Sequence, residues 1–180
     1  MTDRSIGRIV SLALLGLALA GSPAAAQFKT GSIYAGPRVW LGHLNGALAI
    51  GGQIEKGLTK AGDVGEGIIS GGVGIDFYSW KRDHTGGSYK YSVIPLQVFS
   101  NYHFVIKSNP KVDPYLGLAL VYSVVSSSVN GNGITGGASG SSAAFAGQGG
   151  VRYFLTEKFA LQGQIGFGYG TIGLGVTWKF

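Results

Sequence analysis

Histidine is the residue type in this chain best suited to acid–base or metal chemistry, and it occurs at His43, His84 and His103. No two of these lie three or four residues apart, the spacing that puts two metal ligands on one helix face. No serine stands in a nucleophile-elbow motif. Asp76 and His84 could approach each other at one end of a sheet, but two residues are too few for a site. We therefore expect the histidines to be solvated loop residues, and we predict no catalytic residue, no metal site and no cofactor.

The composition excludes further classes of chemistry. Cysteine is absent, so the chain has no disulfide, no thiolate metal site and no cysteine nucleophile. The formal net charge is +6, but lysines and arginines are scattered, so we predict no nucleic-acid partner. Glycine supplies 33 of the 180 residues without the three-residue period of collagen.

The N-terminus has the features of an export signal. Arg4 and Arg8 precede an apolar run over residues 9–20, and small residues follow it as far as Ala24 and Ala26. A basic start, a short apolar core and an Ala-x-Ala site are typical of a cleaved secretory signal peptide. The run is shorter than the roughly 20 residues of a membrane-spanning helix. We predict a signal peptide over residues 1–26 and a single domain over residues 27–180.

The remaining chain alternates bulky apolar residues with small or polar ones, and this period of two indicates β-strands. We predict eight strands, over residues 32–42, 47–58, 67–78, 89–104, 114–125, 143–154, 159–169 and 170–180. The segment Ser126–Ser142 consists mainly of Ser, Gly, Asn and Ala, which predicts a flexible, hydrated loop.

The fourth strand changes the parity of its apolar side chains. Tyr91 and Val93 share one parity, Leu96 has the other, and Pro95 stands at the change. An extra residue reverses the facing of a strand, and proline is tolerated at such a bulge. We therefore predict a bulge near Ile94–Pro95.

The contrast between the two strand faces predicts the surroundings of the sheet. Small and polar side chains fit the narrow interior of an eight-stranded barrel, and the bulky apolar face suits lipid. Lipid also requires every backbone polar group to be paired, which a closed barrel provides. We predict an all-β fold, an eight-stranded antiparallel up-and-down transmembrane β-barrel. The alternative is a soluble, lipocalin-like barrel.

Charged residues on the small-residue face would lie inside such a barrel. The predicted bulge would also turn Lys90 inward beside Asp76. The resulting lumen charge cluster comprises Arg38, Glu55, Asp76, Lys90, Arg152 and Lys179. Buried charges must be paired or hydrated, so the cluster either fills the lumen or gates a narrow channel.

Several stretches of the sequence resemble a known family. The ending GLGVTWKF resembles the C-terminal signal of outer-membrane β-barrels. GGQIEKGLT, IPLQVFSNYHF, VDPYLGLAL and VRYFLTEKFAL resemble strands of the small eight-stranded OmpA/OmpX-like barrel domains. The resemblance implies an integral protein of the Gram-negative outer membrane, in contact with membrane lipid and lipopolysaccharide. It also implies insertion by the barrel-assembly machinery, which would read the C-terminal residues Ile172, Leu174, Val176, Trp178 and Phe180.

The resemblance does not fix an activity, because this fold hosts structural proteins, adhesins, small-solute channels and lipid-modifying enzymes. We predict a structural or surface-interaction role without catalysis, toward an external ligand that the sequence does not identify. One alternative is a porin-like narrow channel for small or hydrophobic solutes. The other is a lipid-modifying enzyme, which would need a cluster of histidine, serine and acidic residues at the outer rim.

Overall fold

The computed structural model describes residues 28–43, 47–85, 87–131, 134–167 and 170–180. The signal peptide predicted over residues 1–26 lies outside this part of the chain. No helix in the described ranges is long and apolar enough to cross a membrane. The strands are β1 (Ile33–His43), β2 (Ala47–Gly57), β3 (Ile68–His84), β4 (Gly87–His103), β5 (Val112–Gly131), β6 (Ile134–Phe154), β7 (Phe159–Phe167) and β8 (Ile172–Lys179).

The eight strands form a closed ring. Each strand pairs antiparallel with the next, and β8 pairs with β1. At the seam Val39 lies opposite Leu174, and the backbone N–H of Phe180 donates to the carbonyl oxygen of Ile33 at 2.8 Å. Closure leaves no strand edge within the ring. The structure therefore confirms the predicted eight-stranded antiparallel up-and-down transmembrane barrel.

Large apolar side chains cover the outside of the barrel. Leu118 is 73% exposed and Val98 is 61% exposed. A continuous apolar surface of this kind suits lipid rather than water. On β3, β4 and β5 this apolar belt consists of Val73, Ile75, Phe77, Ile94, Leu96, Val98, Leu116, Leu118, Leu120, Tyr122 and Val124.

Glycines on the inward face make room for the side chains that fill the lumen. A side-chain carbon at Gly51 would lie 2.1 Å from Asp76 Oδ1 and 2.2 Å from the carbonyl oxygen of Ile75. One at Gly74 would lie 2.6 Å from Nη2 of Arg38. Interiors are packed too closely to accept such contacts, so the glycines are needed where the lumen is filled.

Four strands continue beyond the apolar belt. The last pair between β6 and β7 in the described residues is Gly147 with Phe167, whereas β5 and β6 stay paired as far as Gly131 with Ile134. We call residues 79–84, 87–92, 126–131 and 134–139 the projecting sheet. It marks the hairpin end of the barrel, and the opposite end, which carries residues 28–32 and Phe180, is the terminal end.

The predicted flexible loop at Ser126–Ser142 is wrong, because most of it belongs to the hairpin of β5 and β6. Its Ser and Gly residues have a weak strand preference of their own. Pairing with β4 on one side of β5 and with β6 on the other supplies the order that composition does not reveal.

The predicted bulge near Ile94–Pro95 is also wrong, because β4 keeps one register with β5 from Gly87 to His103. The change of apolar parity instead marks the height at which the strand leaves the belt. Leu96 points outward and is 44% exposed, whereas Val93 points into the barrel and is 4% exposed.

Candidate functional site

The lumen at the terminal end holds a buried ionic group built around Glu55. Its carboxylate accepts hydrogen bonds from the Arg152 guanidinium, from Asn101 Nδ2 at 2.7 Å and from the His103 ring at 3.0 Å. Glu55 is 1% exposed and Arg152 is 0% exposed. Ionised groups this deeply buried persist only when they are paired and hydrogen-bonded.

His103 lies between two carboxylates. Its Nε2 is 3.0 Å from Glu55 Oε1, and its Nδ1 is 2.8 Å from Asp113 Oδ1. Only the imidazolium form donates from both ring nitrogens, so the geometry favours a charged His103. Phe28 stacks on the imidazole with ring centroids 3.7 Å apart and closes the group from the terminal end.

The expectation that His103 is a solvated loop residue is therefore wrong, since it is 1% exposed. Strand parity was the signal that could have found it. His103 follows Asn101 by two residues on β4, and Asp113 precedes Tyr115 by two residues on β5. All four side chains are buried. The structure does not describe the side chains of His43 and His84.

Ser70, His103 and Asp113 are arranged like a nucleophile, a base and an acid. Ser70 Oγ lies 3.1 Å from His103 Nε2. Catalytic triads need a serine that a substrate can reach and a base that is free to accept its proton. Here Ser70 is 0% exposed and its hydroxyl donates to Glu55. In the described residues no group of three or more acidic or histidine side chains is arranged to hold a metal ion.

A second ionic group lies further along the lumen. Arg38 Nη2 is 2.6 Å from Asp76 Oδ2, and Arg38 Nε is 3.0 Å from Asp76 Oδ1, which makes the pair bidentate. The guanidinium also donates to Gln53 at 2.6 Å and to Gln97 at 2.7 Å. Arg38 therefore uses its planar donor set to tie β1 to β2, β3 and β4.

Apolar side chains fill the lumen next to Arg38 at the hairpin end. They form one buried cluster whose largest members are Trp40, Tyr78, Val93, Phe99 and Val121. Together with the two ionic groups they form three layers along the barrel axis. In the described part of the chain, packed and buried side chains therefore fill the lumen.

Four residues of the predicted charge cluster point into the lumen and are buried: Arg38, Glu55, Asp76 and Arg152. They form two separate pairs, Arg38 with Asp76 and Glu55 with Arg152. Lys179 is partly buried at the terminal rim, opposite Tyr34 of β1.

The prediction that Lys90 points into the lumen is wrong. Without a bulge in β4, Lys90 shares the outward parity of Ser92 and Ile94, and it lies opposite Lys81 on the projecting sheet. Asp76, the partner predicted for it, binds Arg38 instead.

The outer face of the projecting sheet is polar and arranged in rows. The row next to the apolar belt contains four paired serines, Ser79, Ser92, Ser126 and Ser139. The next row contains Lys81, Lys90 and Ser128. The inner face is aromatic, since Trp80 stacks on Tyr91 with centroids 5.1 Å apart. Such cross-strand stacking stabilises the sheet.

The C-terminal strand points its bulky apolar side chains to the outside of the barrel, as predicted. Ile172, Leu174 and Trp178 point outward with exposures of 49%, 53% and 42%. Val176 shares their parity, and Phe180 is 78% exposed at the terminal rim. Their role as an assembly signal stays a prediction.

No protein-family model and no curated protein matches the sequence. Solved structures do match. The N-terminal β-barrel domain of Pseudomonas aeruginosa OprF has a TM-score of 0.52 and 18% identity, over 84% of this chain and 98% of that domain. Ail, the attachment invasion locus protein of Yersinia pestis, has a TM-score of 0.54 and 12% identity, over 84% and 100%. A transmembrane β-barrel designed de novo has a TM-score of 0.52 and 11% identity, over 86% and 99%.

At these identities the likeness concerns the fold alone. The chain resembles the small eight-stranded outer-membrane barrels, as its strand sequences predict. A designed barrel matches as well as the natural ones do, so the match identifies a fold and not an activity.

Proposed function

We propose that the protein is an integral barrel of a Gram-negative outer membrane with a surface-interaction role and no catalytic activity. The observation that carries this proposal is the projecting sheet, in which β3 to β6 continue beyond the apolar belt as paired strands. The signal-peptide pattern and the fold of OprF and Ail support the location. Membrane lipid and lipopolysaccharide are then its immediate surroundings, and the barrel-assembly machinery its partner during insertion.

The filled lumen favours this role over the alternative of a narrow channel. Solute passage would require the Arg38–Asp76 and Glu55–Arg152 pairs to separate. Buried charges that lose their partners are costly. The apolar layer around Trp40 and Phe99 would also have to open. A lipid-modifying activity finds no support in Ser70 and His103, because both are buried at the terminal end.

The projecting sheet offers two kinds of contact to a partner outside the cell. Its outer face presents hydroxyl and ammonium groups, including Ser128, Lys81 and Lys90. The second contact is a strand edge. From Gly136 to Ala144, β6 pairs with β5 on one side, and no described strand pairs with its other side. Ail, which shares the fold, has been crystallised with the heparin analogue sucrose octasulfate.

The test is a barrel with a shortened projecting sheet. Joining Trp80 to Tyr91 and Ser127 to Ala138 through Asn-Gly turns shortens both hairpins at paired positions and suits two-residue loops. We expect cells expressing the full chain to adhere to heparin-coated or matrix-coated surfaces, and cells expressing the shortened barrel not to adhere. Equal amounts of heat-resistant folded protein in the membrane are the control. Equal adhesion by both proteins would contradict the proposal.

A further inference from the structure

We propose that Lys81 and Lys90, with the serine row beneath them, form a binding site for a phosphate of an outer-leaflet lipid headgroup. The site rests on the proposed placement of the projecting sheet outside an outer membrane. It assigns a ligand chemistry to the outer face of that sheet.

The first observation is a pair of like charges. Lys81 and Lys90 lie directly opposite each other on neighbouring strands, and both are exposed. Side chains in such a position have Cβ atoms roughly 4.5–5.5 Å apart, and like charges there are destabilising. Lys81 Nζ lies 2.8 Å from Asp83 Oδ1. Lys90 has no ion pair in the described part of the chain. One anion between the two ammonium groups would relieve this repulsion.

The second observation is the height of the pair. Phe77, Ile94 and Val124 form the last row of the apolar belt, the serine row follows, and the lysine row is next. Successive rows on one face are about 6.6–6.8 Å apart. A lysine stem can bend back along the sheet by a comparable length while its ammonium group stays in polar surroundings. Lys81 Nζ points toward Asp83, away from the belt, and the length of a lysine stem lets both ammonium groups turn down to the level where lipid headgroups begin.

The serine row supplies neutral hydroxyl groups at the same level, and the Ser79 hydroxyl donates to the Tyr91 carbonyl oxygen at 3.1 Å. Ser79 Oγ and Ser92 Oγ are 3.5 Å apart. Hydroxyls rotate to donate to whichever acceptor is present, and phosphate oxygens accept strongly from lysine and hydroxyl donors. The outer face thus combines two point charges with a row of hydroxyls.

Among the described residues, this lysine pair has no counterpart on the opposite side of the barrel. On β7, β8 and β1 the outward side chains nearest the hairpin end include Phe167, Ile172 and Leu41, all apolar. A general attraction to an anionic surface would not need a cross-strand lysine pair above a serine row. The geometry instead fits a phosphate held between the two strands.

The test measures lipid binding by the refolded full-length barrel in a non-ionic detergent. Native mass spectrometry and thermal unfolding are followed with diphosphoryl lipid A, dephosphorylated lipid A and inorganic phosphate as probes. We expect the double variant Lys81→Gln, Lys90→Gln to bind diphosphoryl lipid A about tenfold or more weakly than the wild type. The control, Lys60→Gln with Lys111→Gln, removes two lysines at the terminal end and should change affinity less than about twofold.

A second variant should strengthen lipid binding rather than weaken it. Asp83→Asn removes the carboxylate that competes for Lys81, and we expect it to strengthen binding of diphosphoryl lipid A severalfold. Unchanged binding in the double lysine variant would overturn the proposal. So would equal binding of dephosphorylated lipid A. If inorganic phosphate stabilised the barrel as much as the lipid did, the site would belong to free phosphate and the headgroup assignment would fall. Adhesion of cells is a separate readout, so its failure and the failure of this site are distinguishable.

Discussion

The buried ionic residues are held in place by several hydrogen bonds each. Glu55 receives hydrogen bonds from four side chains, those of Ser70, Asn101, His103 and Arg152. The four donors come from three strands, because Asn101 and His103 both lie on β4, so one carboxylate links β2 with β3, β4 and β6. The desolvation of these groups is offset only while the whole set is present.

We predict that Glu55→Ala destabilises the barrel by about 3–5 kcal/mol, because it leaves Arg152 and His103 buried with less compensating charge. Urea unfolding in lipid vesicles measures the difference. Glu66→Ala is the matched control, since Glu66 pairs with Lys107 at 3.4 Å while the two side chains are 83% and 77% exposed. Exposed pairs of this kind contribute less than about 1 kcal/mol. Similar midpoints for the two variants would show that the inner group does not hold the barrel together.

At the scale of elements, the strands extend further than their composition indicates. Period-two alternation predicts all eight strands and, within the apolar belt, their facing, because lipid and lumen impose opposite demands on successive side chains. The same pattern failed beyond the belt. There the apolar side chains Val93 and Tyr91 face inward and the polar ones face outward. The apolar residues therefore change parity along a regular strand, and this change has the same sequence pattern as a bulge. The misplacement of Lys90 followed directly from that error.

The boundary of the apolar belt can be tested with two substitutions on β5. Leu120 and Ser128 both point outward from β5, but Leu120 lies within the apolar belt and Ser128 lies on the projecting sheet. Leu120→Arg should cost about 2–4 kcal/mol, as arginine does on the lipid face near mid-membrane. Ser128→Arg should cost less than about 1 kcal/mol. Unfolding midpoints in vesicles compare the two, and equal losses would place the membrane boundary elsewhere.

The hairpin of β5 and β6 has a definite hydrogen-bond direction. Phe154 N–H donates to the Lys111 carbonyl on the β5 side at 2.8 Å, and Leu155 N–H donates to Phe159 on the β7 side at 2.9 Å. The register of β5 and β6 is unbroken up to Ile134. Even-numbered residues of β6 therefore direct their N–H groups toward β5, and odd-numbered residues direct theirs away from it.

This direction predicts alternating amide exchange on β6. The amides of Ala138 and Gly140 should exchange slowly, and those of Gly137, Ser139 and Ser141 should exchange rapidly because no described strand receives them. Residue-resolved hydrogen exchange by NMR in detergent micelles measures the pattern. Uniformly rapid exchange over residues 136–142 would mean that the segment is a solvated loop.

At the scale of the whole molecule, closure depends on the strand that comes last in the chain. β8 pairs with both β7 and β1, so the ring cannot close before it is in place. The sequence indicated this closure through the alternation of β8. It did not indicate the pairing of His103 with Asp113, since that contact arises only when β4 and β5 lie side by side.

Deletion of Phe180 separates assembly from stability. Phe180 is 78% exposed at the terminal rim, so its loss should change the unfolding free energy of refolded protein by less than about 1 kcal/mol. If the assembly machinery reads the terminal aromatic residue, insertion in cells should fall much further. Heat-resistant protein in outer-membrane fractions is compared with the yield of refolding in vitro. Normal insertion of the truncated chain would rule out this role for Phe180.

We propose that the barrel acts through its outer surface and that packed side chains close its lumen. The Glu55–Arg152 group, the Arg38–Asp76 group and the apolar cluster around Trp40 all lie buried in the lumen. Single-channel recording of the refolded full-length barrel in a planar lipid bilayer tests this most directly. We expect no discrete conductance steps under an applied voltage. Reproducible steps from the wild-type protein would contradict a closed lumen and restore the channel as its function.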